Sequence, residues 1–336
     1  MKHLFLTLLA LLLLLAVFLS LALGKYQLPL TDIYSFLVWK ISGHGGLSAQ
    51  QQSLLTNILL DIRLPRILAA LLIGSTLSVS GTAFQALFIN PLVSPGLLGV
   101  LAGASFGAAL GMICSQSWLV VQCSTLFFGF CAVGLAVVIA RIFQASSIIM
   151  LVLGGIISGA FFTASLSIIK YTADPANQLP AIVYWLMGNL AAVDGQTIAV
   201  IGLPMLAGIG ILIVNGERLN VMSMGEEEAR ALGIRVDRVR LTVIFLATLI
   251  SALTVVIGGI IGWVGLIIPH ICRMLVGPDN RLLLPAAALT GALYLLAVDN
   301  VSRLAFSFEI PTGIVTSLIG IPFFVLVLKN AQRGWK

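Results

Sequence analysis

The segment ERLNVMSMGEEEARALGIRVDRVR, residues 217–240, holds ten of the thirty charged residues in a chain of 336. Apolar sequence flanks it on both sides, so it is the one stretch that reads as soluble protein. Ser223 followed three residues later by Glu226 has the form of a capping box, in which each side chain satisfies an orphan backbone donor of the other. Gly233 supplies a helix stop. This pattern predicts a short helix over 224–232, with Met224, Ala231 and Leu232 on one face and Glu227, Glu228 and Arg230 at polar positions. Two readings stand side by side: a solvated loop between helices, or a docking helix that passes force to a soluble partner.

Composition sets the class. Sixty per cent of residues are hydrophobic, nine per cent are charged and the mean hydropathy is +1.12, so the chain reads as an integral membrane protein. At roughly 20 apolar residues per helical span, the length leaves room for about eight to eleven spans. The net charge of +6 is accompanied by no basic, aromatic-interleaved patch, which argues against a nucleic-acid partner. Cys114, Cys123, Cys131 and Cys272 show no CxxC spacing, which speaks against a metal site. Cys114 and Cys123 flank an external turn, where free thiols or a disulfide are both open.

Taken in order, the apolar run 4–23 is the first spanning helix, longer than the core of a signal peptide; a cleaved signal ending near Ser20 is the alternative. Residues 25–61 read as a polar external segment with a Gly-rich piece at 42–46. RLPR, residues 63–66, opens a span to about 88 that is rich in Gly, Ser and Thr, as a helix packed inside a bundle should be. Asn90, Pro91 and Leu92 break it, and a break at membrane depth is tolerated only beside protein or a water-filled path. That turn is a candidate gate. Further spans are expected at 97–112, 119–140, 148–169, 191–214, 241–263, 264–271, 282–298 and 314–328, with 170–190 and 299–309 external and a partly inserted short helix in the former.

The result is an all-α polytopic protein of about ten spans forming one domain, 1–336. It places twelve of the eighteen Lys and Arg on the side that holds both termini and the 217–240 segment, which is cytoplasmic by the positive-inside rule. Residues 77–99 and 253–277 share an apolar run, a proline break (Pro91, Pro269) and a Gly-bearing turn in opposite orientations, as inverted repeats do.

No G-x-x-x-x-G-K-[ST] loop occurs, so the chain holds no P-loop nucleotide site of its own. Almost no acidic residue sits at mid-membrane depth, where a proton-coupled secondary transporter would need one. No convergent set of nucleophile, acid and base marks a membrane-embedded enzyme. The energy for any transport must come from another subunit.

Five ordered blocks carry a resemblance: RLPR (63–66), GSTLSVSGTAFQALFINPLVSPGLLG (74–99), MGEEEARALGI (224–234), GGIIGWVGLIIPHICRMLVG (258–277) and EIPTGIVTSLIGIPFF (309–324). They are similar to those of the FecCD family, the permease subunits of type II ABC importers, which includes the vitamin B12 permease and many iron-siderophore permeases. The resemblance implies a homodimer in the bacterial inner membrane with two cytoplasmic ATPase subunits, which bind the ATP and magnesium, and a periplasmic binding protein that delivers the solute. It implies no cofactor on this chain. Residue by residue, it implies that Arg63, Arg66 and Arg303 meet acidic groups of the binding protein, that Asn90, Pro91 and Leu92 form the cytoplasmic gate, and that Ser223, Met224, Glu226, Glu227, Glu228, Arg230, Leu232 and Gly233 couple to the ATPase; the alternatives for the arginines are anchoring of helix ends and, for Arg303, a pair with Asp299 four residues before it. Pro269, His270 and Arg273 match a block read here as a cytoplasmic turn steadied by arginine near helix carbonyls. Overall likeness favours a molybdate and tungstate branch over the iron-siderophore, haem and cobalamin branches.

Overall fold

Lipid offers the backbone no hydrogen-bond partners, so each apolar run must satisfy its own N–H and C=O groups as a helix. The computed structural model describes residues 2–43, 46–115, 117–142 and 148–333. Among these lie α1 (Lys2–Ala22), α2 (Leu30–Ser42), α3 (Ala49–Thr56), α4 (Leu64–Leu87), α5 (Val100–Cys114), α6 (Trp118–Ile142), α7 (Ile148–Thr172), α8 (Gln178–Leu186), α9 (Gly195–Val214), α10 (Gly216–Met222), α11 (Glu226–Ala231), α12 (Val236–Gly258), α13 (Val264–Val276), α14 (Asn280–Leu304) and α15 (Thr312–Arg333). Seven stretches are long and apolar enough to cross a membrane, and α5, α13 and α15 are shorter apolar helices in the positions of the other three expected spans. The expected turn after Arg141, the Gly-rich piece at 44–45 and the basic side chains of Lys2, Lys329, Arg333 and Lys336 lie outside the described residues.

Helix α4 is the axis of the bundle. It is buried along almost its whole length and packs on α9, α12, α13 and α14. Its small residues allow this: a methyl added at Gly74 would lie 2.1 Å from the Gly291 carbonyl oxygen of α14, and one at Gly81 would lie 2.0 Å from the Gly265 oxygen of α13. Ser75 Oγ donates to the Ala288 carbonyl at 2.9 Å, and Ser80 Oγ meets Ser251 Oγ of α12 at 3.2 Å. Close backbone approach and buried hydroxyl bonds replace the hydrophobic drive that lipid cannot supply.

Residues 25–61 depart from the expected polar segment. Helices α2 and α3 close a small core of Leu28, Ile33, Phe36, Leu55 and Leu59, and α3 runs through a π-helical stretch, Asn57–Arg63, into α4. Pro65 explains the π turn. It has no N–H, and its ring would clash with the carbonyl four residues back, so the widened turn relieves the clash without ending the helix. The second half departs too. The chain breaks at 259–263, where Gly259 (φ 68°) and Trp263 (φ 68°) take left-handed backbone, and Pro269 lies inside α13 rather than at a break. The proline correspondence behind the inverted repeat is therefore lost. Cys114 and Cys123 are free thiols.

Asp299 was expected outside the membrane helices. It lies instead within α14, fully buried. Arg66 Nε donates to its two oxygens at 2.9 and 3.2 Å, Arg303 Nε lies 3.2 Å from Oδ2, and Arg66 Nη1 reaches Glu309 Oε2 at 2.9 Å. Arg303 also donates to Ser20 of α1 at 3.1 Å and to Asn300. Four charges thus tie α4, α14 and the 305–311 loop together, while Ser20 fastens α1 to the same point.

Two substitutions test this packing in detergent-solubilised protein. Gly291→Ala places a methyl 2.0 Å from Ser78 Oγ and should destabilise by about 1–3 kcal/mol through overpacking, whereas Gly210→Ala, which meets nothing within 4 Å, should be neutral or stabilising. Equal melting shifts for the two would refute close packing at α4. Asp299→Asn strips Arg303 of its carboxylate and leaves Arg66 with Glu309 alone, and should cost about 3–5 kcal/mol. A loss below about 1 kcal/mol, the value of an exposed pair, would refute the network's weight.

Candidate functional site

Three arginines were expected on the outer surface, free to meet a partner. All three are buried: Arg63 is 4% exposed, Arg66 6% and Arg303 6%. Arg63 donates to the Leu21, Ala22 and Tyr26 carbonyls, satisfying orphan acceptors at the end of α1. Arg66 and Arg303 are spent on Asp299. Within this network only Glu309, whose side chain is 29% exposed, offers solvent a way in. Beside it, Phe306 and Phe308 stand exposed and stacked, with ring centroids 5.6 Å apart.

Deeper on the same side, three chain reversals converge. Gly188 (φ 75°) lies against the Ile260 carbonyl, and Gly313 lies where a methyl would meet both the Ile260 and Met187 oxygens at 2.4 Å. They border a cavity of about 440 Å³ lined by Met187, Ile260, Trp263, Gly313, Ser317 and Leu318, among others. Trp263 in the left-handed region carries strain on the order of 1–2 kcal/mol, and its ring meets Phe324 edge-on. The wall is apolar apart from Ser317, and no cluster of metal-ligating side chains occurs among the described residues.

At the opposite end, α4 closes in the turn of Asn90, Pro91 and Leu92, the segment expected to gate. Asn90 N–H donates back to the Gln85 carbonyl at 3.1 Å, and its side-chain oxygen accepts from Leu92 N–H at 2.9 Å, a local Asx turn. Asn90, Pro91 and Leu92 are all exposed at the tip. Ile89, unremarked in the sequence, takes φ 50°, a strained conformation for a β-branched residue. Below the turn lies a pocket of about 270 Å³ lined by Gln85, Asn90, Ser223, Arg273 and Asn280 with neighbouring apolar groups. Arg273 does not steady helix carbonyls as expected. Its Nη2 donates to Gln85 Oε1 at 2.9 Å, and Gln85 Nε2 contacts the Gly265 carbonyl at 3.4 Å. That carbonyl is the one Pro269, lacking an N–H, leaves unbonded within α13. No carboxylate lines this pocket.

The charged segment folds as α10, a turn, and α11, which is shorter than the expected helix over 224–232. The capping box does not form. Gly225 (φ 124°) is the N-cap, Ser223 Oγ bonds to the Leu219 carbonyl at 2.8 Å, and Glu226 pairs with Arg240 of α12 and, at 3.6 Å, with Arg230. The Arg240 guanidinium outcompetes a backbone N–H for the carboxylate, since the charge-assisted bond is the stronger. Gly233 (φ 79°) does end the segment. Ala229 is buried, which leaves Met224 (63% exposed), Glu227, Glu228, Arg230 and Leu232 (61% exposed) pointing away from the bundle. Next to it, Asp279 caps α14; hydrogen bonds from Arg281 first, then Asn220, pull its carboxyl down to about 2. The bonds that depend on its charge are complete above the ordinary carboxylate range and are lost only as pH falls toward 2.

Comparison with known proteins follows this geometry. The FecCD transport family model matches residues 12–330. The molybdate import system permease protein of Haemophilus influenzae is 40% identical over 97% of this chain and 95% of its own length, and the hemin transport system permease protein of Yersinia pestis is 36% identical over 82% and 85%. A solved metal-chelate-type ABC transporter in an inward-facing conformation aligns with TM-score 0.85 and 40% identity over 97% of this chain and 99% of that one. These relatives are transport subunits, not enzymes. The chain belongs to the FecCD transport family and is a multi-pass permease subunit of an ABC importer.

Proposed function

We propose that this permease carries molybdate or tungstate across the bacterial inner membrane, as a homodimer with both termini cytoplasmic, served by a periplasmic binding protein and two cytoplasmic ATPases that hold the ATP and magnesium. The carrying observation is the pocket beneath the gate: one guanidinium, Arg273, among the neutral polar groups of Gln85, Asn90, Ser223 and Asn280, with no lining carboxylate. That lining favours a passing anion, and the likeness to a molybdate permease supports the same reading. The likeness to a hemin permease sustains a second reading, a metal chelate such as haem, an iron siderophore or cobalamin. Multi-element mass spectrometry of cells with and without the permease separates them. A permease-dependent rise in molybdenum or tungsten is expected; a rise in iron or cobalt alone would replace the first reading with the second.

The ATPase meets the exposed end of α11, where Met224 and Leu232 flank Glu227 and Glu228. The binding protein meets the outer network by exchange, its carboxylate displacing Glu309 from Arg66. Co-purification checks both contacts. Met224→Glu with Leu232→Glu should weaken ATPase retention by roughly 30-fold or more, as loss of a hot spot does, and full retention would remove α11 from the contact. Glu309→Gln should tighten binding-protein docking, because the internal competitor loses its charge; unchanged affinity would sink the exchange.

A further inference from the structure

We propose that Asn220 is the pin through which movement of the 223–233 segment reaches α14 and the gate end of α4. The inference rests on the importer reading above and adds a positioning residue to it.

The geometry is specific. Helix α10 is a single short element between α11 and the membrane bundle, with Leu219 and Met222 buried beneath it. Asn220 uses both ends of its carboxamide: Nδ2 donates to Asp279 Oδ1 at 2.7 Å, and Oδ1 accepts from the Asn280 backbone N–H at 2.7 Å. Those partners are the cap and the first residue of α14, so one side chain grips the start of a 25-residue helix that ends in the Asp299 network. Gly216 presses the same point, where an added methyl would lie 2.9 Å from the Asn280 carbonyl. Three residues beyond Asn220, Ser223 Oγ also contacts the Ala86 carbonyl at 3.3 Å, in the last turn of α4 before the gate. A short helix with one polar grip on α14 and another on α4 cannot shift without loading both, whereas apolar packing alone could slide.

The amide is matched to its place. It must donate to a carboxylate and accept from a peptide N–H at once, which Ala cannot do and Asp does only by facing Asp279 with like charge. Exchanging the two side chains restores the complement: in Asn220→Asp with Asp279→Asn, the new carboxylate still accepts from Asn280 and the new amide donates across the seam. Asn also serves as an N-cap as well as Asp.

The test uses the permease assembled with its ATPase and binding protein in liposomes, with molybdate as the probe, measuring solute moved per ATP hydrolysed. Asn220→Asp should retain assembly, melting temperature and hydrolysis while solute per ATP falls about tenfold, within the range of couplings between sites, and the exchanged double variant should recover most of the loss. Wild-type solute per ATP in Asn220→Asp overturns the pin. So does a joint loss of assembly, melting temperature and hydrolysis, which would mark a merely structural role, or a double variant no better than the single. Absence of ATP-driven uptake of molybdate, tungstate, ferric chelates and cobalamin by the wild type would instead overturn the importer reading, and the pin with it.

Discussion

The backbone of α4 touches the backbones of α13 and α14, and the rest of the structure depends on that closeness. Gly74 and Gly291, and Gly81 and Gly265, leave no room for a single methyl between helices. In water such contacts would be a minor supplement to apolar burial. In lipid, whose tails are as apolar as leucine, they are the main source of helix association. They also fix where polar groups can meet. The seam brings Ser80 to Ser251, Gln85 to the carbonyl freed by Pro269, and Arg66 to Asp299, each pair far apart in sequence.

Charged side chains gather at the two ends of that seam, and the bonds described between them are made by neutral hydroxyls such as Ser75 and Ser80. At one end, two arginines and two acids form a desolvated cluster that is stable only while every charge keeps its partner. At the other, Arg273 bonds to a neutral amide and faces a pocket without carboxylates. The middle offers a solute an apolar wall with one hydroxyl.

Much of this was legible in the sequence for definite reasons. Apolar runs announced the spans, Gly and Ser marked α4 as interior, and Gly233 marked the end of the short helix within the charged segment. What escaped notice did so because it depends on partners across the chain. Ser223 and Glu226 have the spacing of a capping box, yet Arg240, fourteen residues on, captures the glutamate. Asp299 looked like a loop residue whose pairing with Arg303 four residues on was visible, but its other partner, Arg66, lies 233 positions away. Pro269 looked like a break, although the glycine and tryptophan at 259 and 263 are where the chain turns. The role of Asn220 could not be read at all, since a single asparagine near a charged stretch carries no signal until Asp279 and Asn280 are beside it.

The unbroken run of α3, the π turn and α4 covers 39 residues, Ala49–Leu87. At 1.5 Å per residue this rod is about 58 Å long, against a hydrocarbon core of about 30 Å. The surplus, about 28 Å for an upright rod, falls at the end that bears α2 and its small apolar core, so in that setting the core would stand clear of the hydrocarbon as a ledge, with Arg63 and Arg66 at its foot.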